Sequence, residues 1–261
     1  IWEYYAPIHG PFFPQVNRLL FTFFGASDFL ARLPVAVVTG LLPLAAWLYR
    51  DHLDDAEMVA LGVFLAVNPI LLYYSRFMRN DVLLAAFMLF ALGFYLRAHA
   101  TRKVRYLYLG TAALGLGFTT KENVLLYVLS WLGATALLLD HRLFLARNEE
   151  REWTGVFVDE VAATVRGLWA WAPHVALAVV EFFAIVVYFY APRRPGEGTG
   201  IVDALQDPTL WPPVVAEATV GSWHEFAGMW ATSHGHAYLP YLRHFVNVLE
   251  QGALPLVAFA V

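Results

Sequence analysis

Val82-Leu83-Leu84-Ala85-Ala86-Phe87-Met88-Leu89-Phe90-Ala91-Leu92-Gly93-Phe94-Tyr95-Leu96 runs without a charge between Asp81 and Arg97, and this stretch decides the fold. A helix that crosses a bilayer needs about 20 mostly apolar residues, with a lower limit near 17. The run falls short, so interfacial residues at its ends have to complete it. Comparable runs lie at 33–49, 58–74, 106–119, 124–139 and 172–190. Any one alone could be the buried helix of a soluble domain; six in one chain read as a membrane-embedded bundle. A seventh run begins near Ala253. The expected class is all-α, a polytopic transmembrane helix bundle.

Composition agrees. Hydrophobic residues make up 59% of the chain and charged residues 15%, against about 45–50% and about 25% in soluble domains. Aromatics reach 16%, with nine Trp, which suits a protein with two membrane–water interfaces to populate. A net charge of −4 and the lack of a basic tract argue against nucleic acid as a partner. With no cysteine, disulfides, thiolate metal sites and cysteine catalysis are excluded. Only Lys103 and Lys121 are lysines, a bias that fits a GC-rich genome such as a halophilic archaeon's.

The chain reads as one membrane-embedded domain over 1–261. Residues 1–32 form a first outer loop with an interfacial helix, 33–190 hold six transmembrane helices, 191–252 form a long outer loop, and 253–261 start a further helix. Ile1 stands where Met would be, and the last apolar run reaches Val261. Truncation at both ends, with a first helix missing, is therefore expected.

Arginine and lysine in short loops set orientation. Arg97, Arg102, Lys103 and Arg105 follow the third span, and Arg142, Arg147 and Arg151 the fifth. Both loops are expected in the cytoplasm, along with 50–57. Alternation then places 1–32, 75–81, 120–123 and 191–252 outside. Val158, Val161, Val165 and Leu168 recur at helical spacing and predict a surface-lying helix. On the outer side, 14–24 places Val16, Leu19, Leu20, Phe23 and Phe24 on one face with Gln15 and Asn17 off it. That pattern predicts an amphipathic helix in the interface.

Ionisable residues at the ends of membrane spans are costly unless paired or hydrated, so they are functional candidates. Two tight clusters occupy outer ends: Tyr74-Ser75-Arg76-Phe77-Met78-Arg79-Asn80-Asp81 and Thr119-Thr120-Lys121-Glu122-Asn123. Arg76, Arg79 and Lys121 run against the positive-inside rule. A phosphate at the membrane surface would explain them, because guanidinium forks match its oxygens and an ammonium adds a point charge. Internal pairing, Arg79 with Asp81 and Lys121 with Glu122, is the plainer alternative. His9-Gly10-Pro11 forms a third group. His234 and His236, two residues apart, could share a divalent metal if the chain there is extended. No third ligand at a recognised spacing supports the metal, and no cofactor is firmly implied. Glu181 is the chief charge inside a span.

At these residues the chain resembles a known superfamily. Pro7-Ile8-His9-Gly10-Pro11-Phe12-Phe13, Phe23-Phe24-Gly25-Ala26-Ser27-Asp28-Phe29 and Ala31-Arg32-Leu33-Pro34 resemble the first outer loop of the GT-C membrane glycosyltransferases. These include protein O-mannosyltransferases and lipid A aminoarabinose transferases. Asn68-Pro69 followed by Tyr74-Ser75-Arg76, Arg79 and Asp81 resembles the second outer loop, and Gly115-Leu116-Gly117 with Thr120-Lys121-Glu122 a further segment. The HGP and RND forms look most like an archaeal group associated with protein N-glycosylation and flippase activity. His234 and His236 before Tyr238-Leu239, and Leu254-Pro255, are similar to a last family pattern.

The resemblance implies transfer of a sugar from a polyprenyl(dolichyl)-phosphate carrier to a protein or lipid acceptor, at the extracytoplasmic face of the cell membrane. Arg76, Arg79, Lys121, Glu122 and His9 are then lipid-phosphate or substrate residues. Asp81 is the second acid, orienting substrate or a metal, and a candidate for catalysis. His9 stands where the aminoarabinose branch carries a Lys. The base, the Asp of an Asp-Glu pair, is expected upstream of Ile1, so these 261 residues are expected not to transfer sugar alone. The rival reading is a non-enzymatic transporter or flippase component on the same scaffold. Transporters place polar residues near the midplane, whereas the charges here cluster at span ends, with Glu181 the exception.

Overall fold

Apolar segments in lipid must satisfy their backbone groups internally, which favours helices. The computed structural model of the chain describes residues 9–121, 123–148, 153–193 and 200–224, with 227, 228, 243, 246 and 247 beyond. Among these residues every regular element is helical. In order they are α1 (Phe12–Phe24), α2 (Asp28–Gly40), a 3-10 helix (Leu42–Tyr49), α3 (Asp55–Val67), α4 (Pro69–Tyr74), α5 (Asn80–Thr101), α6 (Val104–Thr120), α7 (Val124–Asn148), α8 (Trp153–Ala170), α9 (Ala172–Tyr190), α10 (Ile201–Gln206) and α11 (Trp211–Ala216). The chain divides into two compact units, Ile1–Thr219 and Val220–Val261. All the helices just named belong to the first. In the second, 222–224 are helical and most other positions lie outside the described residues.

Four segments are long and apolar enough to cross a membrane: Asp28–Tyr49, Asn80–Thr101, Val124–His141 and Ala172–Tyr190. The all-α membrane bundle expected from the sequence is thus present. Its elements differ in detail from the expected spans. The first starts at Asp28, where Ser27 caps α2 by accepting from the Leu30 N–H at 3.3 Å. The run at 58–74 is two helices, broken where Asn68 Oδ1 takes the N–H groups of Ile70 and Leu71 and Pro69 can offer none. Helix α7 continues to Asn148, so most of the loop expected at 142–151 is helical. The surface helix expected over 158–168 is the middle of α8.

Helix α6 holds the bundle together because its glycines let neighbours approach closely. A Cβ on Gly110 would stand 2.8 Å from the Tyr95 ring of α5, and one on Gly115 would stand 3.1 Å from Ile185 of α9. Phe12 and Phe13 of α1 enter a core with Val35, Leu83, Phe87 and Phe189. Phe12 meets Phe87 edge-on at 5.5 Å and stacks on Phe189 at 5.8 Å. Beyond α9, Ala204 and Val214 of α10 and α11 pack against Val187 and Ala191. Between these two short helices Asp207 accepts from the Thr209 hydroxyl and N–H, which hold its carboxyl below the usual value.

Gln15 and Asn17 lie off the apolar face of α1, as its pattern predicts, and both are buried, at 6% and 7% exposure. Gln15 reaches the Phe189 carbonyl at 3.5 Å, and Asn17 Nδ2 reaches the Ala31 carbonyl at 3.4 Å. Leu19, Phe23 and Phe24 face outward. Lipid accounts for the arrangement, since an apolar surface is welcome there and polar side chains find partners only inside the protein.

The absence of native cysteine makes topology directly testable. Single cysteines replacing Met78, before α5, and Ala100, near its end, are expected to label from opposite sides with a membrane-impermeant reagent. Labelling of both from one side would rule out a spanning α5.

Candidate functional site

The site is built where the N-terminus of α5 meets the C-terminus of α6. Asp81 lies in the first turn of α5 and Lys121 is the residue that ends α6. Lys121 Nζ donates to Asp81 Oδ1 at 2.6 Å, and Arg79 Nη2 donates to Asp81 Oδ2 at 3.2 Å. One carboxylate therefore aligns two cations that are 42 positions apart in sequence. The internal pairing of Arg79 with Asp81 exists. Lys121, however, crosses to Asp81, while Glu122 lies outside the described residues.

These partners do not exhaust the cations. An ammonium has three N–H donors and a guanidinium five, so both groups can hold Asp81 and a further anion together. Arg79 also lies over the Tyr74 ring at 5.5 Å, and its side chain is 56% exposed. Arg76, on the same 75–79 turn, is exposed and has no side-chain hydrogen bond among the described residues. The charge is two cations and one carboxylate, with Arg76 as a third cation close by in sequence.

The first outer segment is pressed onto this corner. Gly10 N–H donates to the Thr120 carbonyl at 3.2 Å. A Cβ at Gly10 would fall 2.1 Å from the Thr119 carbonyl oxygen, so only glycine fits. Phe12 and Phe13, anchored in the core, hold the chain there. His9 is thereby brought beside the Thr119-Thr120-Lys121 turn. Gly10→Ala is expected to cost about 1–3 kcal/mol, as overpacked interiors do, read as a lower unfolding temperature in detergent. An unchanged transition would contradict this close approach.

Two residues were not singled out from the sequence. Asn80 Oδ1 is buried beside Asp81 with no hydrogen-bond partner among the described residues. Tyr127 of α7 lies within electrostatic reach of Asp81. Asn80 was legible only as a letter between Arg79 and Asp81; nothing in the pattern says that its oxygen is orphaned. Elsewhere, Glu181 sits mid-way along α9, with Oε2 buried and unpartnered among the described residues, near the Tyr95–Thr111 hydroxyl pair. No three His, Asp or Glu side chains gather as a metal site among the described residues. His234 and His236 lie outside them, as does the helix expected at 253–261.

The profile of the dolichyl-phosphate-mannose-protein mannosyltransferases matches residues 8–158, more than half of the chain and all of the corner just described. The chain belongs to that family. Comparison with curated proteins and with solved structures returned no match. The family is one of membrane glycosyltransferases, and the four apolar helices suit it. His9, the 74–81 cluster and Lys121 all fall inside the matched residues.

Proposed function

We propose that this family member transfers a sugar from a polyprenyl-phosphate carrier, dolichyl phosphate in the family's name, to a protein or lipid acceptor at the extracytoplasmic face of the cell membrane. The observation that carries the proposal is the shared carboxylate, Asp81, which fixes Arg79 and Lys121 at one span end with donors to spare. When the sugar's anomeric bond to the phosphate oxygen breaks, negative charge grows on the departing polyprenyl phosphate. Cations already in place stabilise it without reorganising. Arg76 and His9 add positive or hydrogen-bonding groups at the rim. Asn80 Oδ1, buried and without a hydrogen-bond partner among the described residues, suits a sugar hydroxyl.

Asp81 is the less suitable group to take the acceptor's proton, because each of its oxygens already accepts from a cation. Its role in this reading is to orient. The base in this reading is a carboxylate outside the described residues, the Asp of an Asp-Glu pair that the resemblance to the GT-C glycosyltransferases implies for the first outer loop. The test is binding. In the full-length protein, Arg79→Ala is expected to weaken binding of a polyprenyl-phosphate sugar about tenfold, the loss of one charge-assisted contact. Acceptor affinity should change much less. Equal weakening of both would take Arg79 away from the phosphate.

A further inference from the structure

The far end of α5 carries chemistry that sugar transfer leaves unused. Arg97 lies 16 residues beyond Asp81 on the same helix, about 24 Å at 1.5 Å per residue. Its side chain is 7% exposed and ion-paired with Asp51. Its Nε is buried with no partner among the described residues. The guanidinium sits 5.5 Å from the centre of the Tyr106 ring. Arg105 approaches the same ring at 4.9 Å and its Nη2 lies 3.2 Å from the hydroxyl. Arg50 adjoins Asp51 in sequence at the same end of the bundle. Two guanidinium groups thus face one phenol, with Arg50 a third close by and Asp51 the carboxylate paired with Arg97: three positive less one negative leaves +2. The next acid along, Asp54, is occupied with Glu57 in the capping box of α3.

Three arginines gathered near a neutral hydroxyl repel one another and leave donors unsatisfied, unless an anion with several oxygens joins them. The surroundings say what such an anion carries. Arg50 stacks on Trp47 at 4.6 Å and donates to the Trp47 carbonyl at 2.7 Å. Trp47 is 59% exposed, Leu44 65% and Leu109 47%. Aromatic and basic side chains side by side are the pattern of a membrane interface. We infer that this end of the bundle binds the phosphodiester headgroup of an anionic phospholipid. Arg50 and Arg105 grip the phosphate over Tyr106, and the Arg97–Asp51 pair forms the floor. Acyl chains run along Trp47 and Leu44. The inference does not depend on which sugar or acceptor the other end handles.

Native mass spectrometry of the full-length protein, with phosphatidylglycerol or phosphatidylcholine added to the micelles, tests it. Wild-type protein is expected to retain phosphatidylglycerol preferentially. Arg50→Gln and Arg105→Gln should each lower that retention roughly fivefold, and together on the order of thirtyfold. Both side chains lie outside the Asp51–Arg97 pair, and the lipid preference of the wild type is read without any variant. Equal retention of the two lipids by wild type overturns the inference. So does an unchanged preference in the double variant. Displacement of phosphatidylglycerol by millimolar inorganic phosphate would reassign the site to free phosphate and overturn the lipid assignment.

Discussion

Lys121→Met is expected to slow sugar transfer by on the order of 10²–10³-fold, the loss that follows removal of one preorganised donor from a developing anion. The ammonium is held by Asp81 at 2.6 Å and its side chain is only 16% exposed. It is therefore positioned before substrate arrives and only lightly screened by water. The fall should lie mostly in kcat, because charge on the phosphate grows as the sugar leaves. Lys121→Arg should recover much of the rate. Arg76→Ala should cost far less, since Arg76 is exposed and held by no side-chain hydrogen bond among the described residues. A Lys121→Met enzyme within threefold of wild type would put the reacting phosphate elsewhere. Initial rates with a radiolabelled polyprenyl-phosphate sugar measure all three variants.

Asp51→Ala should be the most destabilising single change at the opposite end of α5. Removing one member of a buried ion pair costs about 3–5 kcal/mol, because the other charge is stranded. The members are unequal here: the Arg97 side chain is 7% exposed and that of Asp51 34%. Loss of the acid strands a buried cation. Loss of the cation, as in Arg97→Met, leaves an acid that water can reach, and the new side chain fills the space. Asp51→Ala is thus expected near about 3 kcal/mol, and Arg97→Met below it. For a chain of this size that is a drop of about 6–12 °C in apparent unfolding temperature. Equal drops, or a larger one for Arg97→Met, would mean that burial does not rank the pair.

The class of the protein was legible because it rests on averages. Apolar runs survive errors in their boundaries, and four of them are spans by length and composition. Parts of the site were legible for another reason. Arg79 and Asp81 are two apart, and Gly10, Lys121 and the 75–81 turn all fall next to helix ends. Partner choice was not legible. Lys121 has an acid next to it in sequence, yet its ammonium goes to Asp81, 40 positions away. Helix packing decides that, and no local pattern records it. The same is true of Arg97, which sits in a basic cluster but is buried against Asp51, 46 positions earlier. The partition of α1 into two faces was legible, but the burial of Gln15 and Asn17 was not, because amphipathicity has two solutions beside lipid and the pattern alone does not say which face meets protein.

The break between α3 and α4 has a consequence for the lipid around the protein. Pro69 has no N–H for the Leu65 carbonyl, and the N–H groups of Ile70 and Leu71 go to Asn68 rather than to Ala66 and Val67. Three consecutive carbonyls are left without their helical donors, on a stretch where Ala66 and Val67 are exposed. Hydrocarbon would not tolerate them, so the break belongs at the depth of the headgroups. Helix α3 has only 13 residues, about 20 Å of helix, against a core usually about 30 Å thick, and it is not among the four segments long and apolar enough to cross. If it links the two sides, as the orientation expected from the sequence requires, lipid beside it has to thin to match its length. Such thinning would fall just before the turn that carries Arg76 and Arg79, and under the proposed function it would shorten the climb of a membrane-bound phosphate to them.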